Sequence, residues 1–377
     1  MIFLDNASTT KPDEEILNDF INFSKNYYFN PGALYSESVK INSKIEEIRK
    51  NIVKLLKGDS LGTFIFTGSS TEANNIIINS VVSNNKNEEY IFSSLEHPSV
   101  YNFANKLLNE SKIVHFISSN NDGRVDEEEL LNKINKNTKF VSIINVSNET
   151  GAINNVYKIA QKIKEINPKT LVHSDGVQAL GKIEVNLQNL DFYTISCHKI
   201  YGLKGIAGFY CKNIKTLKPL ILGGGQEFNI HSGTTNAPMI FAFYKTIFNA
   251  IENRVKDYNY VLNLKNILIK DIKNNNFITF NSNDSCSPYI ISLSVNGLNA
   301  ETILNMLSSE NILVGLGSAC SSKKSGNRVL ESMNKTKSEI LGNLRISLSK
   351  NNTEEEIYEF CNKFNKIINT LKEKLNG

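Results

Sequence analysis

Leu190-Asp191-Phe192-Tyr193-Thr194-Ile195 is an aromatic and β-branched run that ends in Ser196-Cys197-His198-Lys199. A short apolar run of this kind reads as a buried strand, and its end delivers a lysine to the strand mouth. Burying an ammonium without a partner is expensive. A Schiff base is one chemical reason to put it there, because desolvation lowers the pKa and makes the amine a usable nucleophile. A second run ends in Leu171-Val172-His173-Ser174-Asp175 and brings a carboxylate to the equivalent place. A Schiff-base lysine and an aspartate able to hold a pyridinium nitrogen are the two protein groups that pyridoxal phosphate most needs. Each residue alone also reads as an ordinary charge at a strand end.

Similar strand-length runs occur at 63–66, 90–92, 112–117, 140–146, 170–173 and 208–210, separated by helical patterns. This alternation predicts an α/β fold: a mostly parallel central sheet flanked by helices. Ligands of such sheets bind beyond the carboxyl ends of the strands, where His97, Asn148, Asp175 and Lys199 fall. After residue 250 come a helical pattern over 251–274, strands at 289–295, 312–314 and 344–348, and an amphipathic helix from Thr353. The expected organisation is a large domain over 12–250 and a smaller α/β domain made of 1–11 and 251–377.

The 377 residues are 40% hydrophobic and 21% charged, with a net charge of +4. The lysines are dispersed among acidic residues, so the basic stripe of a nucleic-acid binder is missing. No apolar segment is long enough to span a bilayer, and Met1-Ile2-Phe3-Leu4-Asp5-Asn6 lacks a signal-like core. The five cysteines are widely spaced and form no CxxC pair, so neither a disulfide framework nor a zinc site is suggested. The expectation is a cytoplasmic enzyme with reduced thiols and no membrane or direct nucleic-acid partner.

Phe66-Thr67-Gly68-Ser69-Ser70-Thr71-Glu72 follows a strand and opens a helix. Hydroxyls and free N–H groups at such a start can cradle an anion, although a plainly capped helix has the same composition. His97, in Leu95-Glu96-His97-Pro98-Ser99, suits either a structural role or a ring lying over a flat cofactor. Gly223-Gly224-Gly225-Gln226-Glu227 and His231-Ser232-Gly233-Thr234 form a glycine-rich loop that permits close backbone approach or simply links elements. Cys320 lies among loop formers and two lysines in Gly317-Ser318-Ala319-Cys320-Ser321-Ser322-Lys323-Lys324, conditions that can expose and ionise a thiol. Arg345, in Asn343-Leu344-Arg345-Ile346-Ser347, alternates with apolar neighbours. Its fork suits a carboxylate, of a substrate or of a structural ion pair.

Taken in order, these segments resemble the NifS/IscS-type cysteine desulfurases, class V aminotransferases within the fold type I pyridoxal-phosphate enzymes. The resemblance runs nearly end to end, from Leu4-Asp5-Asn6-Ala7-Ser8-Thr9-Thr10 to Leu344-Arg345-Ile346-Ser347-Leu348, and includes Asp175-Gly176-Val177-Gln178 and Ser196-Cys197-His198-Lys199. It implies an aspartate-aminotransferase-like fold and release of alanine from L-cysteine, with sulfur passing to an enzyme persulfide. Lys199 would hold the cofactor and shuttle protons, Asp175 would pair its ring nitrogen, Gln178 its ring oxygen, and His97 would stack on the ring. Ser70, Thr71, Ser196 and His198 would bind the phosphate, with Thr234 contributed by the partner of a homodimer. Asn148, beside the cofactor, and Arg345 would hold the substrate carboxylate, and Cys320 would attack the substrate sulfur. The resemblance implies no resident metal, although Cys320 could ligate a transferred iron–sulfur cluster. The length of the segment after Cys320 implies a sulfur acceptor that is an iron–sulfur scaffold or a tRNA-thiolation protein.

The chain departs from the family pattern where two arginines usually follow the triple glycine: it has Phe228 and His231. Losing two fixed charges should weaken anion binding, and His231 restores charge only when protonated. Two other readings fit less of the pattern. One is a selenocysteine or cysteine-sulfinate lyase or a related aminotransferase. The other is a degenerate homologue with a binding or regulatory role.

Overall fold

The computed structural model describes residues 1–273, 275–317 and 327–376. After a short strand β1 (Ile2–Leu4) come β2 (Thr63–Thr67), β3 (Glu89–Ser93), β4 (Ile113–Ile117), β5 (Thr138–Ser142), β6 (Leu171–Asp175), β7 (Phe192–Ser196) and β8 (Ala207–Cys211). Strands β2 to β8 make one sheet in the order β2-β8-β7-β6-β5-β3-β4. Strand β8 runs antiparallel to both its neighbours, and the remaining pairings are parallel. The expected mostly parallel sheet is therefore what the chain forms.

Side-chain alternation explains why these runs are apolar at nearly every position. Phe64, Ile91, Val141 and Tyr193 join the apolar cluster on one face, while Ile65, Tyr90, Phe140 and Phe192 join that on the other. A parallel sheet covered by helices on both faces demands this pattern.

A third cluster joins Ile2 and Leu4 to Val261, Leu293, Ile346 and Phe364. It packs around β9 (Ile278–Phe280), β10 (Ile290–Val295), β11 (Ile312–Val314) and β12 (Asn343–Ser347). Here β12, β10 and β9 form an antiparallel sheet, and β1 pairs in parallel with β11.

Three local expectations change. The strand expected over 140–146 is Thr138–Ser142. Past it, side-chain amides replace the ladder: Asn145 Nδ2 donates to Asn154 O at 2.9 Å and Asn154 Nδ2 to Ile144 O at 2.8 Å. This turns the chain toward Asn148. The helical pattern at 251–274 is broken at Asn253, between helices Ala237–Glu252 and Arg254–Ile272, where Asn253 Nδ2 donates to Asn249 O at 2.9 Å and ends the first helix. Strand β9 was not expected: all three of its residues are only half-buried, so no buried apolar run marks it.

Candidate active site

The site is assembled at the carboxyl ends of the large sheet. Asp175 is the last residue of β6 and is almost fully buried. Its Oδ1 accepts from the Val177 N–H at 3.0 Å and its Oδ2 from Asn74 Nδ2 at 2.9 Å. Asn74 lies on the helix Ser70–Val81 that follows β2, and it also donates to Ser99 Oγ at 2.9 Å. Ser99 Oγ in turn lies 2.9 Å from His97 Nδ1, and His97 caps the helix Pro98–Asn109. A continuous hydrogen-bonded chain thus runs from Asp175 to His97. Beneath it Tyr193 passes so close that a Cβ on Gly176 would lie 1.9 Å from its ring. Only glycine fits there, and the Tyr193 hydroxyl can then donate to Asn145 Oδ1 at 2.8 Å.

Strand β7 ends at Ser196 and runs into a single helical turn, Cys197–Lys199. Lys199 Nζ donates to two backbone carbonyls, Ala7 O at 2.7 Å and Ser8 O at 2.6 Å. Burial, reinforced by Arg345, brings the Lys199 pKa down to about 8, against the opposing pull of Asp5 and Asp175. The amine is therefore far easier to neutralise than an exposed lysine, which a nucleophilic amine requires. Burial and the nearby lysines likewise take His198 down to about 4, and its Nδ1 lies 3.1 Å from Thr9 Oγ1. Burial lowers His97 too; Lys199 and Arg328 add to this, and Asp175 and Glu149 oppose it. The neighbouring Cys197 thiol is fully buried and pushed up by burial to about 12, which disfavours the nucleophilic thiolate.

Arg345 reaches the same space from β12. Its Nη1 donates to Asn148 O at 2.9 Å and its Nη2 to Asp5 Oδ1 at 2.8 Å. Its buried Nε has no partner among the described residues. Gly315 makes the approach possible, since a Cβ there would lie 2.6 Å from Asp5 Oδ1 and 3.1 Å from Arg345 Nη2.

A cavity of about 750 Å³ collects these groups: Ser70, Thr71, His97, Asn148, Asp175, Gln178, Ser196, His198, Lys199 and Arg345 all line it. Thr234 does not. It lines a separate cavity of about 190 Å³ with His231 and Gly68. Cys320 lies outside the described residues. The chemistry of the donor set fits pyridoxal phosphate: a lysine of lowered basicity, a buried carboxylate, an imidazole, and a helix start that offers the Ser70 and Thr71 hydroxyls.

The loop after the triple glycine is not a plain linker. Glu227, Phe228 and Asn229 have φ values of 47°, 58° and 65°, a left-handed turn that non-glycine residues rarely adopt. Two ion pairs hold the loop. The buried Glu227 carboxylate meets Arg49 Nη1 at 2.6 Å and also accepts the edge-strand N–H of Phe66 at 2.9 Å. His231 Nε2 lies 2.6 Å from Glu72 Oε1, while Glu72 Oε2 accepts the Gly68 N–H at 2.7 Å. The Glu72 hydrogen bond raises the His231 pKa, and the same bond lowers that of Glu72. Phe228 stacks over the Arg49 guanidinium, 5.2 Å from its ring centroid.

Sequence reasoning passed over Asn74, Asp5, Arg49 and Lys182. Asn74 follows the motif at 66–72 by two residues and Asp5 lies in the N-terminal one, but an asparagine in a helix and an aspartate in a turn have ordinary local explanations. Lys182 carried one usable signal, its spacing of four from Gln178.

The aminotransferase class-V family matches residues 2–360. A cysteine desulfurase IscS of Buchnera aphidicola subsp. Baizongia pistaciae is 34% identical, over 98% of this chain and 93% of the relative. The cysteine desulfurase IscS 1 of Archaeoglobus fulgidus is 30% identical, over 99% of this chain and 98% of its own length. Among solved structures, a NifS-like protein superposes with a TM-score of 0.91 at 30% identity, covering 98% of this chain and 99% of the other. A NifS-like protein from Rickettsia africae gives 0.87 at 31%, with the same coverage. The chain belongs to the class-V aminotransferase family, among its NifS/IscS-type cysteine desulfurases, which are pyridoxal-phosphate enzymes.

Proposed function

We propose that the 750 Å³ cavity takes L-cysteine, leaves L-alanine, and passes the sulfur to Cys320 as a persulfide. The observation that carries this reading is a lysine of lowered basicity sharing one cavity with Asp175 and Arg345. When bound, pyridoxal phosphate supplies an electron sink for the substrate carbon. Lys199 would hold it covalently and move protons at its Nζ. Asp175, oriented by Asn74 and the Val177 N–H, would pair its ring nitrogen, and Gln178 its ring oxygen. His97, held in place by Ser99, would cover the ring. Ser70, Thr71, Ser196 and His198 would hold the phosphate. Arg345 and Asn148, which both line the cavity, hold the substrate carboxylate. At Cys320 an S–S bond forms as the substrate C–S bond breaks, which needs a thiolate.

Several wider features belong to the same reading. The large domain is 12–250, and 1–11 with 251–377 form the small one; the separate apolar cluster joining Ile2 and Leu4 to Val261 and Phe364 supports the split. The enzyme is a homodimer in which Thr234 reaches the partner's phosphate site. In support, Thr234 is exposed outside its own chain's main cavity, beside Tyr28, and Tyr28, Leu34 and Leu222 are exposed apolar side chains at 71%, 96% and 83%. The described cysteines are buried and unpaired, which suits a cytoplasmic, reducing compartment. The sulfur acceptor is an iron–sulfur scaffold or a tRNA-thiolation protein. The decisive test uses the cofactor-loaded protein with L-cysteine: alanine and persulfide should form together, and Cys320→Ala should keep the cofactor's visible absorption while losing sulfur transfer. Normal sulfur delivery by Cys320→Ala would overturn the assignment of the nucleophile.

A further inference from the structure

Lys182 is a buried amine for which the reading above has no use. It is only 5% exposed and follows Gly181, whose φ of +72° completes the turn after β6. Its Nζ donates to Gln178 Oε1 at 2.6 Å and lies 5.7 Å from the centroid of the Tyr289 ring. The charged groups that act on it are Lys199 and Arg345, both cationic, and together with burial they lower its pKa to about 7. Lys182 does not line the cavity, whereas Gln178 does. Besides its charge, which also weighs on His198, its one hydrogen-bonded route to the cavity lining among the described residues is through Gln178.

The two ends of a carboxamide have nearly the same shape, and partners decide which end points where. An ammonium only donates, so Lys182 in its protonated form pins Oε1 and turns Nε2 to the other side. There Nε2 donates to Ala7 O at 2.8 Å, the carbonyl that also accepts from Lys199 Nζ at 2.7 Å. We propose that Lys182 is a positioning residue, which holds Gln178 with its amide donors toward the cavity so that it donates to the ring oxygen of bound pyridoxal phosphate. This rests on the reading of Gln178 as the partner of that oxygen.

A donor on the ring oxygen stabilises negative charge there. Its loss should raise the pH at which the visible absorption of the bound cofactor changes. The experiment is a spectroscopic pH titration of the cofactor-loaded protein carrying Lys182→Met, Gln178→Leu, or both. Each single variant should move the midpoint up by about one unit, the scale of a hydrogen bond to a charged group, and the double variant should move it no further. Lys182→Leu serves in the same cycle if Lys182→Met does not fold. Additive shifts would mean that Lys182 acts by charge through space, and would overturn the proposal. A shift in Gln178→Leu with none at residue 182 would overturn the proposal and leave the reading of Gln178 standing. No shift in Gln178→Leu would overturn both.

Discussion

The cavity and the loop beside it are held by different forces. Around Asp175 the contacts are hydrogen bonds with uncharged partners, through Asn74, Ser99 and the Val177 N–H. The 223–234 loop is fastened by charge, through Arg49–Glu227 and His231–Glu72. The first arrangement contains a single charged side chain, so salt has little to screen in it. The second depends on ionisation at both ends of each pair, and the two pairs differ in depth. Both side chains of Arg49–Glu227 are 6% exposed, while those of His231–Glu72 are 22% and 21% exposed. Loop anchorage is therefore where this chain is most open to change, and it is also where the family's two arginines are absent.

The harshest way to break the comparison is Arg49→Met. It strands the Glu227 carboxylate in a buried site and also removes the donor to Phe64 O, 2.6 Å away. Removing one partner of a buried pair costs about 3–5 kcal/mol. Urea unfolding should show a loss of that size, and the double variant Arg49→Met/Glu227→Gln should recover part of it, because no lone charge then remains. A cost below about 1 kcal/mol would mean that the pair does not anchor the loop.

A smaller effect is expected on the other side. Asn74→Leu removes the donor to Asp175 Oδ2 and the link to Ser99, while the Val177 N–H still holds Oδ1. Leaving one buried acceptor unpaired costs about 1–3 kcal/mol. Stability should fall by that amount, and cofactor affinity should fall with it, since Asp175 and His97 lose their common brace. An unchanged affinity would show that the bridge supports the fold but not the site.

This contrast also separates what could be read from the chain and what could not. Lys199 and Asp175 were legible because each ends an apolar run and the two together match the needs of one cofactor, although either alone reads as an ordinary strand-end charge. Most of the strands β2 to β8 were legible because their runs have both faces buried; the edge strand β4 is only half-buried. Arg49 was not, because Glu46-Glu47-Ile48-Arg49 looks like the charged face of an ordinary helix, and its partner Glu227 is 178 residues away. Asn74 was hidden because its amide works across the sheet rather than along its own helix. Phe228 and His231 were visible as substitutions, but their compensation was not. Phe228 packs on Arg49 rather than replacing a charge, and His231 takes its counter-charge from Glu72. Long-range pairing leaves no local period, so one sequence cannot reveal it.

The smallest effect concerns the pH response of the loop. His231 has its pKa raised above the ordinary 6.5 by Glu72, so its stabilising contribution is fully present below 6.5 and is lost as pH rises through the higher folded value. Glu72 has its pKa lowered below the ordinary 4.5 by His231, so its contribution is present above 4.5 and is lost as pH falls through the lower folded value. The pair therefore works best in mildly acidic solution and weakens above neutrality. Comparing the wild-type chain with His231→Gln at pH near 5.5 and near 8.5 isolates the effect, which for a partly exposed pair amounts to about 1 kcal/mol or less. The wild-type advantage should be larger at the acidic pH and should shrink in high salt. Arg49→Met should show no comparable difference, because that pair contains no histidine. Equal advantages for His231 at the two pH values would mean that shape, and not charge, holds the second anchor.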